Sequence, residues 1–328
     1  MRDPRTQVAE LLAPVAADME RMRAVLVEQV RSSSGAVSDM TDHVGRFRGK
    51  QLRAGLVLLS GEATGNATDE HPTVAAIVEM IHLATLVHDD ILDGAKVRRR
   101  VACVNERWDN QVAVLLGDFL YARAFALSTD LSSRLCSRVL AETTRTICVG
   151  EIEQSTRRYD FDLTQDAYEG LCGAKTASLY AAACELGARY PAGNEDAGTR
   201  MRAFGHEIGL AFQIVDDCLD VVGDESVVGK TVGTDVEDGK VTLPVLYTYA
   251  QASEAERGRI RDVFTVPGLE GRARRLREVC DLGPGIEYTM ARACDLVARA
   301  RQRLQALPAG AARTALERIG DFVLHRNW

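Results

Sequence analysis

An all-helical bundle is the fold class that this sequence predicts, and three observations predict it. Apolar residues recur at three- and four-residue steps in Val8, Leu11, Leu12, Val15, Met19, Met22 and Leu26, again from Val112 to Leu127 and from Ile286 to Leu304, which builds one apolar face on an α-helix. The two-residue alternation of a half-buried strand is absent. A chain of 328 residues, 46% hydrophobic and 27% charged, can bury a large core, and no long polar linker or fixed-period repeat divides it. One domain spanning residues 1–328 is therefore expected.

In chain order, Met1-Arg2-Asp3-Pro4-Arg5 is polar and runs directly into the first amphipathic segment, so neither a signal peptide nor a transit peptide is evident. Breaks are predicted where Gly, Pro, Ser and Asn cluster: Ser32–Gly35, Gly61–Pro72, Tyr190–Gly198, Gly223–Thr234, Pro267–Gly271 and Gly283–Gly285. About a dozen helices remain between them. The longest apolar run, Val74–Val87, is interrupted by Glu79 and His82 and is too short to span a bilayer. The cysteines (Cys103, Cys136, Cys148, Cys172, Cys184, Cys218, Cys280 and Cys294) stand singly with no CxxC pair, as expected of a reduced, cytoplasmic setting. A formal charge of −7, with no long or aromatic-interleaved arginine run, argues against a nucleic-acid partner. An anionic substrate would need local cations.

Two acidic clusters carry the chemistry. Asp89-Asp90-Ile91-Leu92-Asp93 follows the apolar Val78–Val87, and Asp216-Asp217-Cys218-Leu219-Asp220 follows the apolar Ile208–Val215. Residues four apart on a helix are offset by about 40° and lie about 6 Å apart along its axis, so Asp89 and Asp93 share a face with Asp90 beside it, and Asp216, Asp217 and Asp220 repeat the arrangement. An isolated cluster of this kind also suits a solvated helix end. At the end of a core helix, however, three carboxylates lose solvation and repel one another, costing several kcal/mol per ion unless cations compensate. Clustered carboxylate oxygens favour a hard cation, and magnesium shared with phosphate oxygens suits them.

Candidate cations lie close in sequence. Lys50 and Arg53 are three apart, and Arg98-Arg99-Arg100 follow the first cluster. Lys230 and Lys240 sit in the glycine-rich stretch after the second cluster, where lysines can reach phosphate or simply decorate a surface turn.

Both aspartate clusters, Gly49-Lys50-Gln51-Leu52-Arg53, Arg98-Arg99, Lys175-Thr176, Phe212-Gln213, Lys230 and Lys240 stand in the order found in trans-polyprenyl diphosphate synthases. The chain resembles that family from about Arg48 to Pro244, with weaker similarity at both ends, and resembles most its long-chain, octaprenyl- and heptaprenyl-type members. The resemblance implies a homodimer of isoprenoid-synthase bundles with a central cavity. It implies head-to-tail condensation of isopentenyl diphosphate with an allylic diphosphate, farnesyl or geranylgeranyl, and transient membrane contact for release of the long product. It further implies about three magnesium ions gripped by Asp89, Asp93 and Asp216 with their neighbours Asp90, Asp217 and Asp220. Arg98, Lys175, Lys230 and Lys240 would neutralise the allylic diphosphate, while Lys50, Arg53, His82 and Arg99 would bind isopentenyl diphosphate. Thr176 and Gln213 would face the reacting carbons, where their dipoles steady positive charge. Arg100, Ala54 and Gln51 depart from the family pattern without touching a metal position.

If the growing tail runs down the Asp89 helix, the residues one turn below, about 5.4 Å away, meet it first. These are the small Ala84 and Thr85, where short-chain relatives carry an aromatic. Ile81, Met80 and Ile77 would line deeper turns, with Phe125 as the floor, and a long product is expected. A short-chain synthase, a class I terpene cyclase and a non-catalytic subunit of a heteromeric synthase are the alternatives. The second intact aspartate cluster argues against the last two.

Overall fold

The computed structural model describes residues 4–31, 34–45, 49–98, 101–222 and 233–325. Its elements run α1 (Pro4–Leu11), a 3-10 turn (Ala13–Val15), α2 (Ala16–Val30), α3 (Gly35–Val44), α4 (Leu52–Thr64) and α5 (His71–Leu92). A ribbon of two-residue strands, β1 (Val97–Arg98) and β2 (Val101–Ala102), leads to α6 (Val104–Arg107), α7 (Asn110–Thr129) and α8 (Leu135–Thr156). Then come α9 (Gln165–Cys172), a π-helical turn (Gly173–Ala177), α10 (Ser178–Arg189) and α11 (Glu195–Val222), and after them helices at Thr234–Glu237, Leu243–Gln251, Glu254–Thr265, Arg272–Val279, Gly283–Leu304 and Ala311–Leu324. The predicted all-α class holds, with more and shorter helices than the periodicity resolved.

Local chemistry starts and stops these helices. The Asp109 carboxylate accepts from Val112 N (2.7 Å) to cap α7, and Thr164 does the same for Ala167 N of α9. Ser253 and Glu256 form a capping box at the start of Glu254–Thr265. The expected break Gly283–Gly285 is instead helical, and the break expected over Gly61–Pro72 begins only at Gly65. Gly283 opens a helix rather than interrupting one, because Pro284 beside it fits a first turn whose N–H groups have no intrahelical partner anyway. Helix α4 continues through Gly61 to Gly65, whose positive φ of 68° ends it. Gly61 serves close packing rather than a turn, since a Cβ there would lie 2.8 Å from the His71 ring and 3.2 Å from the Gly187 carbonyl.

The chain divides into two compact units. One comprises residues 1–144, 179–205 and 303–319, the other 145–178, 206–302 and 320–328. Each division falls inside a helix, which is why no linker marks it in the sequence. In the first unit α5 is the central element, packed on α2, α4 and α7. It is buried on nearly every side, with Ile77, Met80, Ile81 and Ala84 fully enclosed beside Leu56, Leu59, Met19 and Met22, as expected of a helix apolar all round. In the second unit the buried core includes Ile208, Leu210, Ile214, Val215 and Cys218 of α11, and the Phe161 ring packs against Tyr249 and Phe264 at 4.7 and 5.2 Å.

Among the described residues α7, not Val74–Val87, is the helix long and apolar enough to cross a membrane by length and composition, and 33% of it is buried. Val114 and Leu115 on it are 42% and 60% exposed.

Helices α10 and α4 approach closely in the first unit, where a Cβ on Gly187 would lie 2.1 Å from the Val57 carbonyl oxygen. Backbone cannot yield as a side-chain end does, so Gly187→Ala is expected to destabilise by roughly 1–3 kcal/mol or more. The midpoint of urea unfolding checks this.

Candidate active site

Each acidic cluster has one face turned to protein and one turned outward. On α5, Asp89 and Asp93 are part-exposed, whereas Asp90 is 1% exposed and accepts from Arg98 Nε at 2.6 Å. Burial raises Asp90 above the ordinary carboxylate range, and the Arg98 charge and hydrogen bond oppose that shift. Arg98 reaches it because the chain folds straight back. Gly94 takes a positive φ, Ala95 N donates to Asp90 O (2.9 Å), and the Val97↔Ala102 and Arg98↔Val101 pairs close the ribbon. His43 Nε2 lies 2.7 Å from Ala102 O and its Nδ1 3.0 Å from Arg107 Nη1. Arginine only donates, so His43 accepts at Nδ1 and donates at Nε2, pinning the ribbon to α3. Arg99 and Arg100 lie outside the described residues, as does Lys230.

The second cluster divides the same way. Asp216 is part-exposed, while Asp217 and Asp220 are buried. Asp217 Oδ1 accepts from Gln213 Nε2 (2.7 Å) and its Oδ2 from the Tyr168 hydroxyl. Asp220 takes Thr234 N and Oγ1 (3.3 and 3.1 Å) on one oxygen and Asp235 N (3.0 Å) on the other. It thereby anchors the start of the Thr234–Glu237 helix. Burial, with Asp216 and Asp220 close by, raises Asp217, and burial with Asp220 and Asp217 raises Asp235. Lys240 Nζ is 3.7 Å from Asp235 and 3.2 Å from Asp238, so this lysine belongs to the same group of charges.

Lys175 and Thr176 lie in the π-helical turn, a geometry that appears mostly as single turns at functional sites. The turn presses on α8 at Gly150, where a Cβ would come within 2.7 Å of Ala174 Cβ. Lys175 Nζ meets Glu151 Oε2 at 2.7 Å and Gln154 Oε1 at 3.2 Å, and Thr176 Oγ1 donates to Gln213 Oε1 at 2.8 Å. Glu151 and Gln154 are not among the residues that the sequence singled out. Their signal was a Gly-Glu-x-x-Gln run that puts an acid and an amide on one helical face, one turn apart.

In the first unit the structure brings together two residues far apart in sequence, Arg53 and His82. Arg53 Nη1 is 3.1 Å from His82 Nε2, and the guanidinium lies 4.4 Å above the Tyr180 ring. His82 must accept, so its proton is on Nδ1. Arg53 Nε is buried without a hydrogen-bond partner, a desolvated donor that an anion would satisfy. Lys50 is part-buried just ahead of α4. Gln51 between them adopts a left-handed conformation (φ 49°) and accepts from Arg23 Nε at 2.8 Å, so its departure from a basic residue supplies an anchor for a strained bend.

Of the chain-length candidates, Thr85 is part-exposed on the stripe of Asp89 and His82, and its hydroxyl donates to His82 O. Ala84 sits in a cluster with Val87, Ala113, Leu116 and Leu120. Ile81, Met80 and Ile77 are fully buried below, and Phe125 on α7 is part-buried.

Among the described residues no three His, Cys, Asp or Glu side chains converge as a ready-made cage. Part-exposed carboxylates fit a hard cation that takes its remaining ligands from phosphate and water.

Residues 35–279 match the polyprenyl synthetase family. The chain is 36% identical over 318 residues, 97% of each chain, to the all-trans-nonaprenyl-diphosphate synthase (geranyl-diphosphate specific) of Rhodobacter capsulatus. It is 36% identical over 309 residues to the short chain isoprenyl diphosphate synthase of Methanothermobacter thermautotrophicus, covering 92% of this chain and 95% of that one. Its fold superposes with a TM-score of 0.93, at 33% identity and 98% coverage of both chains, on the crystal structure of polyprenyl synthase from Caulobacter crescentus complexed with calcium and isoprenyl diphosphate. With this match spanning most of its length, the chain belongs to the polyprenyl synthetase family and is a trans-prenyltransferase.

Proposed function

We propose that the enzyme condenses isopentenyl diphosphate with farnesyl or geranylgeranyl diphosphate, head to tail, to give a long-chain polyprenyl diphosphate. The observation that carries this reading is the outward stripe of α5. Asp93, Asp89, Thr85 and His82 are part-exposed along it, while Ala84, Ile81, Met80 and Ile77 are fully buried. Carboxylates for a diphosphate thus stand one turn above a small side chain that leaves room for a tail.

Asp89, Asp93 and Asp216 are the proposed ligands of about three magnesium ions, with Asp90, Asp217 and Asp220 holding the segments around them. When bound, those ions offset diphosphate charge and ease departure of the leaving diphosphate. The calcium-bound relative supports a divalent ion here. Arg98, Lys175, Lys230 and Lys240 add positive charge for the allylic diphosphate. Lys175 then exchanges its Glu151 partner for a phosphate oxygen, so the lysine is pre-positioned without being buried unpaired. Arg53, with Lys50, His82 and Arg99, receives isopentenyl diphosphate, and its unpartnered Nε gains a charge-assisted bond on binding. The Gln213 carbonyl and the Thr176 hydroxyl oxygen face the allylic carbon as positive charge develops, and stabilise it. The released diphosphate is the proposed acceptor of the final proton.

The exposed apolar residues of α7, Val114 and Leu115, support a homodimer. A reduced, cytoplasmic setting fits the free cysteines, and contact with a membrane would serve only release of the product.

Five outcomes test this reading. Purified enzyme given magnesium, farnesyl diphosphate and isopentenyl diphosphate should yield linear products longer than geranylgeranyl after dephosphorylation and chromatography. Chelation should abolish turnover and added magnesium restore it, whereas cyclic hydrocarbon or no turnover would overturn the proposal. Thr85→Phe should shorten the product, as should Ala84→Phe despite its tighter surroundings; unchanged length in both would mean that the tail does not pass this turn. Arg53→Lys should raise the KM for isopentenyl diphosphate roughly tenfold through loss of the planar fork, with the allylic KM unchanged. In sedimentation, wild type should run at twice the chain mass and Leu115→Glu should not.

A further inference from the structure

We propose that Tyr168 is a positioning residue for prenyl transfer: through Asp217 it fixes which end of the Gln213 amide faces Thr176. The inference rests on the reading of Gln213 and Thr176 as the pair facing the reacting carbon.

Four side chains of the second unit form one continuous chain of hydrogen bonds. The Tyr168 hydroxyl donates to Asp217 Oδ2, Gln213 Nε2 donates to Asp217 Oδ1 at 2.7 Å, and Thr176 Oγ1 donates to Gln213 Oε1 at 2.8 Å. Donor and acceptor capacities fix the direction of every link. Both Asp217 oxygens accept, one from Tyr168 and one from Gln213, so the Gln213 amide turns its NH2 toward Asp217 and its carbonyl toward Thr176. The carbonyl accepts only, so the Thr176 hydroxyl spends its proton on it. Two oxygens then present lone pairs, the polarity that a developing carbocation requires. With the amide reversed, the same pair would present N–H instead.

Tyr168 is the far end of that chain and is assigned no role by the aspartate or lysine motifs. It is buried on α9, two turns ahead of Thr176. Its hydroxyl reaches Asp217 Oδ2, and a phenol has one proton to donate. It occupies one carboxylate oxygen and leaves the other aimed at Gln213. Without the hydroxyl, the carboxylate loses the donor that sets its rotation, and Gln213 loses a fixed partner.

Tyr168→Phe keeps the ring and removes only the hydroxyl, and unchanged circular dichroism with a melting temperature within a few degrees verifies the fold. We expect kcat to fall roughly tenfold, the scale of one hydrogen bond to a charged group. The KM for both substrates and the magnesium concentration for half-maximal activity should stay within about twofold. In a double-mutant cycle, Tyr168→Phe should add little in a Gln213→Ala background, because both changes disable the same chain. Wild-type kcat in Tyr168→Phe, a full additional loss in the Gln213→Ala background, or a shift in magnesium dependence in place of kcat would overturn the proposal. Wild-type kcat in Gln213→Ala would overturn both this proposal and the role of Gln213 beneath it, so the two failures are distinguishable.

Discussion

A carboxylate placed at the end of a core helix must either be neutralised or be given donors, because the interior offers no water to do it. Much of the local architecture around both aspartate clusters follows from that constraint. Asp90 is answered by Arg98, which can reach it only because the chain reverses at Gly94 and closes a two-stranded ribbon. Asp217 is answered by Tyr168 and Gln213, and Asp220 by the backbone of Thr234 and Asp235. In each cluster the inward carboxylates organise protein, and the outward ones, Asp89, Asp93 and Asp216, stay part-exposed.

The same division of labour recurs among the cations and dipoles. Lys175 rests on Glu151 and Gln154, and Arg53 rests on His82 and the face of Tyr180. Each is held in a defined orientation by partners from another part of the chain. The π-helical turn contributes by offsetting Lys175 and Thr176 from a regular helical register, and Gly150 lets that turn approach α8 closely.

Much of this was legible in the sequence, for identifiable reasons. The apolar run before Asp89 marked a core helix because α5 is buried on nearly all sides, and a four-residue spacing put Asp89 and Asp93 on one face whatever the rest of the fold does. The glycines were harder. Gly61 and Gly283 read as breakers since composition cannot distinguish a turn from a place where two helices touch. Gln51 looked like a departure from a basic pattern, and only its left-handed φ and its bond to Arg23 show what it does. Glu151, Gln154 and Tyr168 carried no distinctive motif of their own, because their importance lies in partners 24, 21 and 49 residues away.

By itself the sequence determined the helical class, the two acidic clusters and the small residues below the first one, because periodicity and short-range spacing are properties of the helix alone; the order of its motifs carried the family resemblance. Which aspartate of each cluster turns inward was decided by tertiary structure. So were the meeting of Arg53 with His82 and the orientation of the Gln213 amide. Each of these depends on a donor or an aromatic face delivered from another segment, and no local spacing encodes where that segment will lie.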